Sequence, residues 1–328
     1  GDVYKRQVEG GYLGVYFFFS LSGFVIALNY FHVINSYKSL VKFQVKRFFR
    51  IYPVHIFVLF LVLGIQVLKL IALKFFNLST DKEAFTPEYW YTLTDFVNHI
   101  FLVQAVTNNG YSLSWNSAAW TISTEFYSYL IFGLITLCVR NNRLIFIIIS
   151  LLFIYFFNII NSITEIYINH LFLGCLKFFL TGCIFFFIYE KIKFRLNDIF
   201  FIILVSLLFY IYLEYFKLGN ILFCTIILLV AILKEDSFIN RFLNFYPFVY
   251  FGTISYSFYM IHQSVLYLYI QSLKFIFKVP FLYTGDVASN TGNVYYDTFI
   301  TISYIIISGI LASFMYKYIE DKLRKKNF

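Results

Sequence analysis

The chain has 328 residues, of which 60% are hydrophobic and 13% are charged, and its mean hydropathy is +0.75. A soluble domain carries about 25% charged residues, so this sequence has too little polar surface to enclose a water-soluble core. The class that remains is an integral membrane protein built from helices. The formal net charge of +9 is explained by basic residues beside membrane spans and does not indicate nucleic-acid binding.

Nine apolar segments approach the roughly 17–25 residues that a membrane-crossing helix needs. They predict an all-α, polytopic helical bundle, because lipid requires a backbone whose hydrogen bonds are satisfied internally. The predicted spans cover residues 12–31, 53–74, 119–138, 144–161, 170–189, 198–216, 219–233, 248–270 and 298–317.

The distribution of basic residues predicts the orientation of these spans. Of the 26 Lys and Arg residues, 17 fall in loops 32–52, 139–143, 190–197 and 234–247 and in the tail from residue 317. Basic loops face the cytoplasm, so the C-terminus is expected there, and loops 75–118 and 271–297 are expected outside. Aromatic side chains in the first outer loop would either shape an opening for a polar acceptor or form an interfacial belt: Tyr89, Trp90, Tyr91, Tyr111 and Trp115.

The start of the chain does not fit this topology. Nine spans with a cytoplasmic C-terminus put the N-terminus outside, yet the chain begins at Gly1 with neither Met nor a signal peptide. We therefore expect a fragment in which residues 1–7 are a non-native junction or a disordered start. Residues 8–328 are then expected to form a single membrane domain that lacks its first helix.

The third segment carries a carboxylate inside an apolar stretch, with Trp120 at its mouth, Glu125 within it and Tyr127 beside that residue. Burying a carboxylate in a membrane is expensive, so such a residue usually serves function or a specific partner. Glu125 is a candidate to orient or deprotonate another group. The alternative is a carboxylate that pairs with a basic side chain for packing.

Arg47 and Arg50 precede the second segment. They are three residues apart and would share one face of a helix. Paired guanidinium groups match the geometry of phosphate oxygens, although contact with lipid headgroups explains them as well. Pro53 is expected in the first turn of the span that follows, where proline is tolerated.

Two further stretches carry polar groups at helical spacing. Ser255, Tyr259 and His262 would lie on one face of the eighth segment, where a histidine serves either as an acid or base or as a structural hydrogen-bond partner. Glu320 and Arg324 are four residues apart, which predicts a structural ion pair at the end of the last segment.

Small residues in the first segment predict close approach of another helix, and they are Gly11, Gly14, Ser20, Ser22 and Gly23. The four cysteines lie in apolar segments without metal-ligand spacing, so no metal is expected.

Taken in order, these stretches resemble the membrane acyltransferase 3 family, whose members are O-acyltransferases of cell-surface glycans and related acceptors. Five stretches carry the likeness. They are the small-residue stretch from Gly11 to Phe24, Arg47-Phe48-Phe49-Arg50-Ile51-Tyr52-Pro53, the stretch from Trp120 to Tyr127, the stretch from Ile254 to His262, and Tyr318-Ile319-Glu320.

The resemblance implies ten spans and a cytoplasmic acyl-CoA donor, usually acetyl-CoA. It also implies an acceptor hydroxyl on a glycan or lipid-linked sugar, and a place in the cytoplasmic membrane of a bacterium. Arg47 and Arg50 would contact the donor's phosphates. The catalytic candidates are Glu125, His262 and Tyr127, and the substrate channel would be lined by Trp120, Ser255 and Tyr259.

One departure from the family bears on activity. The family's first helix carries an Arg and, eleven residues later, the His taken as general base, and nothing before Gly11 supplies them. We therefore expect acyl transfer by this chain to be severely impaired. The competing hypothesis is a transporter or flippase for lipid-linked sugars.

Overall fold

The computed structural model describes residues 2–76, 85, 91–106, 114–163, 170–214, 219–284 and 287–326, and some residues at element ends, including 2–12, by their backbone alone. The predicted aromatic residues Tyr89, Trp90 and Tyr111 lie outside the described residues. The helices are α1 Asp2–Tyr30, α2 Tyr37–Phe76, α3 Leu93–Ile100, α4 Trp120–Cys138, α5 Arg143–Ile163, α6 His170–Tyr189, α7 Asp198–Glu214, α8 Gly219–Ala231, α9 Phe238–Leu243, α10 Tyr246–Phe275, α11 Val294–Met315 and α12 Asp321–Lys326.

The predicted helical class is confirmed, and each of the nine predicted segments overlaps one helix. Among the described residues, five helices are long and apolar enough to cross a membrane, and they run over Leu13–Tyr30, Tyr37–Phe75, Ser117–Cys138, Phe172–Tyr189 and Val294–Arg324. Shorter apolar helices cover Arg143–Ile159, Asp198–Tyr210 and Ile221–Ala231. The count of nine spans therefore stays a prediction.

The second predicted span begins too late. Helix α2 starts at Tyr37 and runs through Pro53, which lies in its interior rather than in its first turn. Proline removes one backbone hydrogen bond from a helix. Hydropathy placed the boundary at the proline because the preceding stretch is basic and polar, whereas the backbone stays helical through both stretches.

The polar segment predicted as a loop at residues 271–297 contains two short strands. Strands β1 Leu282–Thr284 and β2 Val287–Asn290 pair antiparallel, with an irregularity between Leu282 and Tyr283. Helix α11 follows, and its N-cap Asn293 accepts hydrogen bonds from the backbone N–H groups of Tyr295 and Tyr296.

The chain divides into two compact units. The first consists of Gly1–Arg47 and Thr124–Val249, and the second of Phe48–Ser123 and Tyr250–Phe328. The prediction of a single domain over residues 8–328 stays a prediction.

Within the first unit, α1 packs closely against α6 through two glycines. A Cβ atom built on Gly23 would overlap the carbonyl oxygen of Phe179, and one built on Gly182 would overlap the carbonyl oxygen of Ser20. This is the close approach that small residues allow in a membrane. Gly14, in contrast, has open space where its Cβ would be.

Within the second unit, the inward face of α10 combines apolar and small polar residues. The buried residues include Ile254, Ser257, Met260 and Ser264, at helical spacing. Helix α3 begins at the N-cap Thr92, whose side chain accepts a hydrogen bond from the backbone N–H of Asp95 at 3.1 Å.

Candidate active site

A polar cluster in the first unit is centred on Glu125 of α4. Glu125 is 5% exposed and Tyr129, one helical turn later, is 3% exposed. The Tyr129 hydroxyl donates a hydrogen bond to Oε1 of Glu125. The same hydroxyl lies 3.2 Å from Oγ of Ser22 on α1. Two helices thus fix one carboxyl group inside the bundle.

Arg47 of α2 adds a positive charge to this cluster. Its guanidinium carbon lies 4.8 Å from the ring centroid of Tyr30, 5.6 Å from that of Tyr129 and 5.8 Å from that of Phe43. Each distance falls within the range of a cation–π interaction. The Nε atom of Arg47 is buried, and no hydrogen-bond partner for it exists among the described residues. We call Ser22, Tyr30, Arg47, Glu125 and Tyr129 the Arg47 cluster.

The cluster combines a cation whose neighbours are mainly aromatic faces with a carboxyl group held by a phenol. Aromatic faces attract a cation without using its N–H donors. A buried donor without an acceptor costs about 1–3 kcal/mol. The arrangement is therefore suited to an anionic or carbonyl oxygen supplied by a bound molecule.

Sequence reasoning singled out Glu125 but missed Tyr129. The missed signal was spacing, because residues four apart on a helix lie on one face. Tyr127, which was chosen instead, is half-buried, and its ring packs edge to face against Phe126 with the centroids 5.4 Å apart. Trp120 is buried and belongs to the second unit, so the predicted cluster of three is divided between the units.

In the second unit, α10 brings Tyr259 and His262 together. Nδ1 of His262 lies 2.6 Å from the carbonyl oxygen of Tyr259. The hydroxyl of Thr121 donates to the Tyr259 hydroxyl at 3.3 Å, and the hydroxyl of Tyr304 donates to the His262 carbonyl oxygen at 3.2 Å. Ser255 is exposed and donates only one turn back, to the carbonyl oxygen of Gly252 at 2.8 Å.

Glu320 is held by a serine that sequence reasoning passed over. It is 2% exposed, and its Oε2 accepts a hydrogen bond from Oγ of Ser257 at 2.8 Å. Arg50, which is exposed, and Arg324 interact electrostatically with this carboxyl group. Arg47 and Arg50 fall in different units, so their joint role in donor binding stays a prediction.

The predicted ion pair between Glu320 and Arg324 stays a prediction. Arg324 interacts electrostatically with the Glu320 carboxyl group, while its Nη2 contacts Oδ1 of Asp321 at 2.8 Å. The five residues Tyr316–Glu320 form a π-helical turn that ends at Glu320.

A second buried polar group links α2 to α3. Nε2 of His55 lies 2.8 Å from the carbonyl oxygen of His99, and Nε2 of His99 lies 3.2 Å from Oγ of Ser114. Burial lowers the pKa of His99 to about 3, and the positive charge of a protonated His55 acts in the same direction. The hydrogen bond with Ser114 raises this pKa, but by less. His99 is therefore neutral at physiological pH.

No group of three or more His, Cys, Asp or Glu residues placed to hold a metal is found in the described part of the chain. No curated protein matches the chain, and no solved structure matches it either. The model of the acyltransferase 3 family, described as an acyltransferase domain, matches residues 3–317. The match covers nearly all of the chain and spans both units. The chain therefore belongs to the membrane acyltransferase 3 family.

Proposed function

We propose that the protein is a membrane-embedded O-acyltransferase. In this proposal it moves an acyl group, most simply acetyl, from acyl-CoA to a hydroxyl of a cell-surface or lipid-linked glycan. Membership of the family supports an acyltransferase in a membrane. The donor, the acceptor, the bacterial cytoplasmic membrane and the cytoplasmic C-terminus are parts of the proposal.

The observation that supports the proposal best is the environment of Arg47. Its guanidinium group sits among the rings of Tyr30, Phe43 and Tyr129, with a buried Nε that has no partner among the described residues. Arginine forms strong charge-assisted hydrogen bonds with phosphate oxygens. An acyl-CoA donor carries such oxygens, and a thioester carbonyl as well. Arg50, on the same helix, is proposed to contact the donor's phosphates too.

The chemistry requires a proton acceptor near the attacking hydroxyl. The acceptor oxygen attacks the thioester carbonyl and its proton passes to a base. The C–S bond then breaks, and the CoA thiolate leaves and takes up a proton. In the proposal the carboxyl group of Glu125 serves as base or orients it, and the Tyr129 hydroxyl fixes its position. Tyr127 and His262 are proposed on the acceptor side, with Trp120, Ser255 and Tyr259 lining the channel.

The test is donor binding by the purified chain in lipid nanodiscs, measured by calorimetry with acetyl-CoA. Arg47→Ala removes a charge-assisted contact worth about 1.5–3 kcal/mol, so the Kd should rise roughly 10- to 100-fold. Lys42→Ala is the matched control, because Lys42 is an exposed cation on the same helix.

Two outcomes would contradict the proposal. The first is equal affinity for acetyl-CoA in the wild-type chain and the Arg47→Ala variant. The second is transport of a lipid-linked sugar by reconstituted protein in the absence of any CoA compound, which would favour the carrier hypothesis.

A further inference from the structure

Helix α6 carries a lysine inside a stretch that is otherwise apolar. Lys177 is the single charged residue of Phe172–Tyr189, a stretch long and apolar enough to cross a membrane. A charged side chain inside a bilayer is expensive, and it is kept where it serves a function or a specific partner. The proposed donor site does not include Lys177, so this lysine needs a separate explanation.

The Lys177 side chain is held by one residue of the neighbouring helix α5. Its Nζ donates a hydrogen bond to Oδ1 of Asn158 at 3.1 Å, and both residues belong to the first unit. Lys177 is half-buried and Asn158 is exposed. The two side chains therefore lie at the edge of the contact between α5 and α6 and not in the core of the unit. We call these two residues the Lys177 pair.

The pair has more hydrogen-bond donors than acceptors. An ammonium group has three N–H donors and no acceptor, and a carboxamide adds two further N–H donors. The contact with Asn158 uses one of the lysine donors. Among the described residues, neither Nζ of Lys177 nor Nδ2 of Asn158 has another partner. The pair thus lacks an acceptor, and its positive charge favours an anionic one.

The surface beside the pair on α5 is largely apolar. Leu151, Leu152, Tyr155 and Phe156 are each 49–60% exposed. In a membrane such a surface contacts lipid chains, which accept no hydrogen bonds. Water, which would complete the hydrogen bonding of an exposed lysine on a soluble protein, is absent there. A polar side chain of another membrane helix supplies the acceptor in such surroundings.

The depth of the pair separates two sources of an anion. Helix α6 has 20 residues and is about 30 Å long, so its ends lie near the two boundaries of the hydrocarbon layer. Lys177 lies seven residues after the first residue of α6, which is about 10 Å along the helix. Asn158 lies five residues before the last residue of α5, which is about 8 Å.

This depth favours a carboxylate over a lipid phosphate. An unrestrained lysine extends its ammonium group from the hydrocarbon layer to the headgroups. The hydrogen bond to Asn158 instead keeps the Lys177 ammonium beside α5. Headgroup phosphates lie outside the hydrocarbon layer, whereas an Asp or Glu on a membrane-spanning helix reaches the depth of the pair. A second copy of this chain fits less well, because the carboxyl groups of Glu125 and Glu320 are only 5% and 2% exposed.

We propose that the Lys177 pair is a docking site for a transmembrane helix of another protein, and that this helix carries an Asp or Glu about 8–10 Å from one end. The carboxylate accepts hydrogen bonds from Nζ of Lys177 and Nδ2 of Asn158. The apolar face of the partner helix packs against the exposed leucines and rings of α5. This inference goes beyond the proposed function and does not depend on it.

The experiment measures association of the full chain with a designed transmembrane peptide in lipid nanodiscs. The peptide is a helix of about 20 leucine and alanine residues with one Asp about 9 Å from one end, and a reference peptide carries Leu instead of that Asp. Energy transfer between a dye on the chain and a dye on the peptide reports binding. We expect the Asp peptide to bind roughly tenfold more tightly than the Leu peptide, because a polar contact between helices in lipid contributes on that scale.

Substitutions in the pair should remove this preference. Lys177→Met removes the charge and should make the two peptides bind equally. Asn158→Asp places a carboxylate within the chain itself, where it pairs with Lys177. This variant should also lose the preference for the Asp peptide, and its melting temperature should rise above that of the wild-type chain. The rise shows that the loss of binding is not caused by misfolding.

Lys69→Met is the matched control. Lys69 is also a half-buried lysine inside a long apolar helix. Its Nζ lies 4.2 Å from the ring centroid of Tyr267, so it has an aromatic partner within the chain. Its replacement should leave the preference for the Asp peptide unchanged.

Four results would overturn the inference. The first is equal binding of the Asp and Leu peptides to the wild-type chain, and the second is an Asp preference that survives Lys177→Met. The third is displacement of the Asp peptide by phosphatidylglycerol, with binding of that lipid to the wild-type chain but not to Lys177→Met in native mass spectrometry, which would assign the pair to a lipid phosphate. The fourth is energy transfer between two labelled copies of the chain that Lys177→Met removes, which would assign the pair to self-association.

Discussion

The hydroxyl of Tyr129 donates a hydrogen bond to the carboxyl group of Glu125 one turn earlier on α4, with both side chains buried. This contact fixes the carboxyl group that the sequence placed inside an apolar helix. The guanidinium carbon of Arg47 lies 5.6 Å from the ring centroid of Tyr129, and its Nε has no hydrogen-bond partner among the described residues. The Arg47 cluster thus combines a carboxyl group fixed by a phenol with a cation whose Nε has no hydrogen-bond partner among the described residues.

A double-mutant cycle tests the first of these statements. Tyr129→Phe should destabilise the chain by about 1–3 kcal/mol, because a buried carboxyl group loses a donor. In the Glu125→Gln background the same substitution should cost about 1 kcal/mol less. Unfolding in mixed detergent micelles measures both. Tyr155→Phe is the control, because Tyr155 is exposed on α5, and it should leave the free energy of unfolding unchanged. If the effects of Tyr129→Phe and Glu125→Gln simply add, the two side chains do not interact.

The contact of α1 with α6 predicts a sharp contrast among glycines. Gly23→Ala and Gly182→Ala each force a methyl group into backbone of the facing helix. Overpacking of this kind costs about 1–3 kcal/mol or more, so folded protein recovered from membranes should fall strongly. Gly14→Ala and Gly174→Ala have open space and should leave recovery unchanged. Equal tolerance at all four positions would contradict the close packing.

How far the sequence predicts this structure depends on the kind of signal. Hydropathy located the helices because lipid imposes a length and a composition on each of them. Helix ends were less predictable. The polar stretch before Pro53 stays helical although it is not apolar, and the π-turn ending at Glu320 leaves no trace in hydropathy.

The candidate site was predictable only in part. Glu125 was found because a carboxylate is rare inside an apolar segment, and Arg47 because it lies three residues from Arg50 and would share a helix face with it. Tyr129 and Ser257 were missed because their roles depend on which helix face is buried and which partner lies opposite. Ser255 and Ser257 illustrate this: the sequence favoured Ser255, yet Ser257 is the buried one and binds Glu320.

That pair of serines gives a matched test of stability. Ser257→Ala removes a donor from the buried Glu320 carboxyl group, and we expect a loss of about 1–3 kcal/mol. Ser255→Ala removes only a hydrogen bond within one turn of an exposed face, so it should change stability by less than about 0.5 kcal/mol. Thermal unfolding in detergent compares the two. A larger effect at Ser255 would contradict the assignment of the buried face.

The pKa of His99 predicts how stability depends on pH. The unfolded chain binds a proton near the ordinary pKa of 6.5, whereas burial and the neighbouring His55 hold the folded pKa at about 3. The unfolded state therefore binds more protons in between, and stability falls as the pH drops from 6.5 towards 3. His99→Gln should flatten this decline in melting temperature. An unchanged slope in the variant would show that His99 does not cause it.

The most direct test of the central claim is photolabelling with an acyl-CoA whose acyl group carries a diazirine, followed by mass spectrometry of the labelled peptides. We predict labels on the peptides of α1, α2 and α4 that contain Tyr30, Arg47 and Tyr129. Unlabelled acetyl-CoA should compete for them, and they should be lost in Arg47→Ala but retained in Lys42→Ala. Competed labelling confined to other helices, or labelling that survives Arg47→Ala, would contradict a donor site at the Arg47 cluster.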